Sequence, residues 1–302
     1  MIKNLTDLLN EAKNQKKMKL AVAAAQDPDV LSAVVDAAND GIIDPILVGN
    51  VDEIKTIARE QNLEIGSFKL VEADTFQEAA EISVKMVKND EADFLMKGLI
   101  DTAVLLKAVL NKEYGLRTDS QLSHVMLYSS VNYHKLLFLT DGGMNIAPTL
   151  EGKVKIAKNA IDVVKAFGVE TVKVAALAAK EKVNPKMPVT IEARELQNMC
   201  EAGEFGEGVI VEGPLAFDLA VSKKAAEVKK FESKISGDVD ILLVPNIEVG
   251  NGIGKALTYI AKADSAGIIM GAKVPIVLVS RADSYESKLY SIALGSVVAA
   301  NI

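Results

Sequence analysis

Cysteine and histidine are nearly missing from this chain of 302 residues. Cys200 is the single thiol, and His124 and His134 are the two imidazoles. A lone cysteine closes no internal disulfide, and with two histidines a structural zinc site lacks its ligands. No apolar run approaches the ~20 residues needed to cross a bilayer. The stretch from Met1 to Leu20 is broken by Asp7, Glu11 and several lysines and holds no signal-peptide core. Nor is there a basic block: 34 Lys and Arg against 41 Asp and Glu leave a net charge of −7. Polyanion binding needs clustered cations, so neither nucleic acid nor a membrane surface is an expected partner. Internal repeats, low-complexity tracts and linkers are absent too. These absences together lead us to expect a soluble protein of a reducing, cytoplasmic compartment.

What is present is ample material for a core, with 49% hydrophobic and 25% charged residues. That composition excludes disorder and collagen-like fibres. At ~150 residues per domain the length suits two domains or one large α/β unit.

Short β-branched or alanine-rich runs alternate with capped helical patterns. Lys19 to Ala25 reads as a strand, followed by Asp27 as N-cap and Pro28 at the first helical position. Val30, Leu31, Val34, Val35 and Ala38 form the helical stripe, and Gly41 stands where a left-handed C-cap belongs. Asn50 with Glu53 and Thr75 with Glu78 are spaced as capping boxes. Further strands are expected at Pro45 to Val48, Phe68 to Val71 and Phe94 to Met96, after which Asp101 caps a helix running to Gly115. Leu122 to Tyr128 and Leu136 to Thr140, joined by a short polar turn, read as an antiparallel pair. Strand–helix alternation then resumes, with a last helix from about Ser284. The pattern predicts parallel sheets with helices on both faces, and a domain boundary near Ser120 where the hairpin interrupts the rhythm.

In open α/β sheets ligands sit beyond the carboxyl ends of the strands. Met96-Lys97-Gly98 through Asp101-Thr102 could hold a phosphate by charge, backbone N–H and hydroxyl; alone, a solvated lysine beside an ordinary cap is the favoured account. In Thr140-Asp141-Gly142-Gly143-Met144-Asn145 the paired glycines allow close approach to a ligand, and a simple turn explains them equally well. Val249-Gly250-Asn251-Gly252-Ile253-Gly254-Lys255 fails the Walker A pattern at Val249 and Ala256 and the dinucleotide fingerprint at Lys255, yet could still meet an anion. Pro275 to Val279 ends in Ser280-Arg281, with Asp283 and Glu286 close behind. There an arginine fork suits a phosphate and a serine can donate to an oxyanion. The competing account is a surface arginine beside an acidic first turn. His124 lies in an apolar run and reads as a core histidine, His134 as a turn residue and Cys200 as a small buried hydrophobe. No Gly-x-Ser-x-Gly occurs, so a covalent hydrolase has little support.

Taken in order, five segments resemble the phosphate acetyltransferase and phosphate butyryltransferase family, the butyryl branch more closely. They are Met96 to Thr102, Thr140 to Pro148, Glu212-Gly213-Pro214-Leu215-Ala216-Phe217-Asp218, Pro245-Asn246 with Gly250 to Gly254, and Val279-Ser280-Arg281. The resemblance covers essentially the whole chain. It implies an α/β fold of two doubly wound domains with a cleft between them, similar to isocitrate and isopropylmalate dehydrogenases. The first domain would be residues 1–120 plus 284–302, the second 121–283. The implied reaction is reversible: acyl-CoA and inorganic phosphate give an acyl phosphate and CoA, with butyryl favoured and butanoyl phosphate the product. Coenzyme A is then a substrate; no bound cofactor and no metal is implied, and the enzyme is expected as a homodimer or larger homo-oligomer.

By position, Ser280 and Arg281 match a pair lying against thioester and phosphate. Lys97, Gly98 and Thr102 match a segment contacting acyl phosphate, and Lys107 falls near an arginine of the acetyl branch. Asp141, Gly143, Asn145, Asn246, Gly250, Asn251 and Gly252 are the expected CoA-binding residues. The aspartate proposed as base in the acetyl enzymes is replaced by Ser287, so Asp283 or Glu286 must substitute unless no side-chain base is needed. Two other readings remain open: acyl transfer from acyl phosphate to another acceptor such as acyl carrier protein, and a non-catalytic small-anion binding protein.

Overall fold

The structure, a computed structural model, describes residues 2–279 and 283–302. Its chain divides into two units, a terminal one of Asn4–Ser120 with Ala266–Ile302 and a central one of Gln121–Ser265.

In the terminal unit five strands run parallel, β1 (Met18–Ala23), β2 (Ile43–Gly49), β3 (Lys69–Glu72), β4 (Phe94–Lys97) and β11 (Ile276–Val277). They stand in the order β3-β2-β1-β4-β11, and β10 (Asp264–Met270) pairs antiparallel with β11. Interleaved are α1 (Leu5–Asn14), α2 (Pro28–Asn39), α3 (Val51–Glu60), α4 (Phe76–Lys88), α5 (Thr102–Val109) and α11 (Tyr285–Asn301). Helices α1, α2 and α11 pack together, as do α4 and α5. The caps form as spaced: Asp27 accepts from Val30 N–H, Asn50 from Glu53 N–H and Thr75 from Glu78 N–H. Val30, Leu31, Val34 and Val35 are buried, and Gly41 is left-handed at φ +79°.

In the central unit the order is β5 (Ser123–Ser129), β6 (Leu137–Thr140), β9 (Ile241–Leu243), β7 (Val172–Leu177), β8 (Val209–Leu215). Strand β5 is antiparallel to β6, as the polar turn predicted, and the rest are parallel. Helices α6 (Leu150–Ala166) and α7 (Pro188–Glu201) pack against each other; α8 (Phe217–Val221), α9 (Lys223–Lys229) and α10 (Ile247–Lys255) complete the unit. A core of Leu137, Leu139, Leu177, Leu215, Leu219, Leu242 and Val244 fills one side of this sheet.

Two expectations need correction. The helix after Asp101 stops at Val109 rather than reaching Gly115, because the Asn111 side chain accepts the N–H groups of Glu113 and Tyr114. An Asx turn of that kind competes with helix continuation. The return of the chain to the terminal unit also comes at Ala266, not at residue 284. Ile276 and Val277 pair with Leu95 and Met96, and that ladder holds the segment in the terminal sheet.

Candidate active site

In the terminal unit the chain runs outward from β1 to β2 and β3, then returns to place β4 on the other side of β1. The reversal between β1 and β4 is a topological switch point, where the carboxyl ends of a doubly wound sheet open toward ligands. The loop after β4 is clamped onto the end of β1: Gly98 N–H donates to Ala23 O at 2.9 Å and Leu99 N–H to Ala24 O at 2.7 Å. A Cβ at Gly98 would overlap the Ala24 carbonyl and lie 2.9 Å from Ala23 O, so only glycine fits. Ala24 itself adopts φ +58°, a conformation that non-glycine residues seldom hold.

Lys97 is not the solvated lysine that its residue type suggests. It is 8% exposed, and its Nζ donates to Gly98 O at 3.2 Å and Ile100 O at 2.9 Å. The ammonium thus shapes its own loop from within. Asp101 occupies the N-cap of α5 but makes no side-chain cap hydrogen bond, which corrects its expected role. Thr102, half-buried, opens that helix, and Lys107 is exposed in its last turn. A helix start without a side-chain acceptor, beside a buried ammonium, is suited to an anion.

Ser280 and Arg281 lie outside the described residues. Past them, Asp283 is half-buried and Glu286 exposed in the first turn of α11. The sequence gave no sign of Lys288, which is buried and donates from Nζ to Asp283 O at 2.8 Å, with Asp29 Oδ2 at 3.6 Å. Nearby, burial and a hydrogen bond to Asp36 hold the Tyr285 phenol well above its ordinary range.

The central unit treats its strand-end loops differently. Asp141 is buried; its Oδ1 accepts from Gly143 N–H at 2.8 Å and Met144 N–H at 2.9 Å, and its Oδ2 from Asn145 Nδ2 at 2.6 Å. Asn145 also donates to Leu122 O and accepts from Gln121. Both side chains serve the loop itself. Gly143 lies under the ring of His124, and Gly142 and Gly250 meet face to face: a Cβ on Gly142 would be 2.8 Å from Gly250 C, and one on Gly250 2.6 Å from Gly142 Cα. Asn246 caps α10 by accepting Val249 N–H, and Asn251 Nδ2 lies 3.4 Å from Gly142 O. Gly252 differs from its neighbours in having no heavy atom within 4 Å of an added Cβ. The structure therefore brings Asp141, Gly143, Asn145, Asn246, Gly250 and Asn251 into one paired-loop assembly, held mainly by bonds internal to it.

The remaining motif, Glu212 to Asp218, is scaffold. Glu212 accepts from Ser233 and Lys234 N–H, and the Lys229 hydrogen bond holds the Asp218 carboxyl below its usual range. His134 pairs with Asp238 at 2.8 Å near the amino ends of the strands. Burial raises the Asp238 carboxyl, but hydrogen bonds from Lys173, His134 and Lys135 outweigh it and hold it well below the usual range. Half-buried Cys200 points its Sγ at Val209 O. Among the described residues no group of three or more His, Cys, Asp or Glu could hold a metal, and no helix is long and apolar enough to cross a membrane.

The family profile described as Phosphate acetyl/butaryl transferase matches residues 4–85 and 73–296. The phosphate butyryltransferase of Clostridium acetobutylicum is 44% identical over 301 residues, which is 100% of both chains. The phosphate acetyltransferase of Thermotoga maritima is also 44% identical, over 96% of this chain and 98% of its own. The crystal structure of a branched-chain phosphotransacylase from Enterococcus faecalis V583 superposes with a TM-score of 0.83 at 34% identity, covering 94% of this chain and 100% of that one. With a profile match across nearly its whole length and full-length relatives above 40% identity, the chain belongs to the phosphate acetyl/butyryl transferase family.

Proposed function

We propose that the protein moves a short-chain acyl group, butyryl by preference, between coenzyme A and inorganic phosphate. The observation that carries this reading is the rim at the switch point. There Gly98 is seated on Ala24, the Lys97 ammonium is buried in the loop, and α5 begins without a side-chain cap. Phosphate dianion is already a competent nucleophile near neutral pH and a thiolate a fair leaving group, so the protein's main tasks are alignment and charge compensation.

In the forward direction a phosphate oxygen attacks the thioester carbonyl, the C–O bond forms, and the C–S bond breaks to release the thiolate. Arg281 grips the phosphate through its planar fork, supported by the Lys97 charge, the first N–H groups of α5 and the Thr102 hydroxyl. Lys107 adds positive potential from the same helix. Ser280 donates to the oxyanion of the tetrahedral intermediate. In reverse, Asp283 or Glu286 takes the proton of the CoA thiol. The paired loops of Asp141–Asn145 and Asn246–Gly252 bind CoA mainly through backbone groups, because the Asp141, Asn145 and Asn246 side chains are engaged in loop and cap. The same reading makes the enzyme cytoplasmic and a homodimer or larger homo-oligomer.

Thiol release from butyryl-CoA and acetyl-CoA, each with and without phosphate, tests this directly. Release that requires phosphate and is faster with butyryl-CoA is expected; hydrolysis indifferent to phosphate would overturn it. The Arg281→Ala variant should fold normally and lose about 10²-fold or more in turnover.

A further inference from the structure

Gln26 is a polar side chain that no part of the proposed chemistry uses. It follows β1 after Ala24 and Ala25, and stands just before Asp27, the N-cap of α2. The residue is 8% exposed, and its Oε1 is buried without a hydrogen-bond partner among the described residues. The amide lies against Gly49 at the end of β2, where an added Cβ would overlap Oε1. Glycine at 49 therefore makes the space that the amide occupies. An acceptor buried in this way is a net cost to folding, and methionine would fill similar volume without it.

Its placement suggests what the acceptor is for. Gln26 is two residues from Ala24, whose carbonyl carries Leu99 and the β4 loop, so it belongs to the rim that holds Lys97 and the start of α5. The other groups assigned to that rim are donors: an ammonium, a guanidinium, helix N–H groups and the Thr102 hydroxyl. Donors alone grip any tetrahedral dianion and treat phosphate and sulfate alike. The two differ by a proton, since hydrogen phosphate keeps a P–O–H at neutral pH and sulfate has none. Only an acceptor reads that proton, and a neutral amide does so without setting a second negative charge against the dianion.

We propose that Gln26 is a specificity-determining residue of the phosphate site: its amide oxygen accepts the hydroxyl of hydrogen phosphate, admitting phosphate and arsenate and disfavouring sulfate. The proposal rests on the phosphate acyltransferase reading above. It is tested on the full chain by the KM for phosphate and the inhibition constant of sulfate in the thiol-release assay, with thermal denaturation alongside. Gln26→Met should raise the phosphate KM about tenfold, as expected for one lost hydrogen bond to a charged ligand, and leave sulfate inhibition within about twofold. Its melting temperature should rise, because the orphaned acceptor is gone. Gln26→Glu should weaken both anions. An unchanged phosphate-to-sulfate ratio in Gln26→Met overturns the proposal, and a lowered melting temperature with that same ratio would mark the amide as structural. A wild-type chain without phosphate-dependent thiol release brings down the underlying reading instead.

Discussion

The strand-end loops of the two units are built from similar residues and settle their polar groups in opposite ways. In the central unit the Asp141 carboxylate, the Asn145 amide and the Asn246 amide are spent on neighbouring backbone and side-chain groups, and Gly142 and Gly250 let the loops close on each other. In the terminal unit the Gln26 oxygen lacks a partner, Asp101 leaves α5 without a side-chain cap, and an ammonium is buried in the loop. A self-satisfied loop is a rigid surface that presents backbone. A rim with unmet donors and acceptors is where binding energy is still to be gained. The difference teaches that strand-end position alone does not mark the chemical centre; the polar balance at that position does.

The sharpest way to break this comparison is Gly98→Ala. The added methyl would overlap the Ala24 carbonyl and sever the bonds from Gly98 and Leu99 to the end of β1. Overpacking against backbone, with two hydrogen bonds lost, should cost about 3 kcal/mol or more of folding stability. Phosphate-dependent turnover in the fraction that folds should drop about 10²-fold. A folded variant with wild-type turnover would remove the β4 loop from the chemistry and the contrast with it.

Asp141→Asn probes the other side at a smaller scale. One oxygen can still receive Gly143 and Met144, but the new amide nitrogen faces the Asn145 nitrogen, donor against donor, in a buried place. Denaturant titration should show a loss of about 1–3 kcal/mol. The sign is the informative part: removing polarity from this loop destabilises the fold, whereas Gln26→Met on the terminal rim should stabilise it. Equal signs would erase the distinction.

Local signals made most of the scaffold readable. Ser123–Ser129 and Leu137–Thr140 emerge as a hairpin because their pattern and turn are contiguous in sequence, and Asn50, Thr75 and Ser284 cap because the accepting N–H is three residues away. What the sequence hid depends on distant partners. Gly98 needs to be glycine because of Ala24, and Gly142 because of Gly250, and no periodicity connects either pair. Lys97 and Lys288 were obscured by residue type, since lysines are seldom buried, and only tertiary carbonyls reveal their function in the fold. The early return at Ala266 was missed for the same reason: two residues of β11 decide it through their pairing with β4.

Gly252 offers the finest test. In α10 the neighbouring glycines answer to packing, Gly250 to Gly142 and Gly254 to the Tyr128 hydroxyl, which would lie 2.6 Å from an added Cβ. Gly252 answers to nothing nearby, and in a helix interior glycine is worse than alanine by about 1 kcal/mol. A residue kept small against its own helix, with open space beside it, fits a backbone that a bulky substrate approaches closely. Gly252→Ala should therefore raise unfolding stability by about 1 kcal/mol while raising the KM for acyl-CoA about threefold to tenfold. The phosphate KM should stay unchanged, because that anion is assigned to the terminal rim. Stabilisation with an unaltered acyl-CoA KM would free Gly252 of any role in CoA binding, and a matching rise in the phosphate KM would show that the two rims do not divide the substrates.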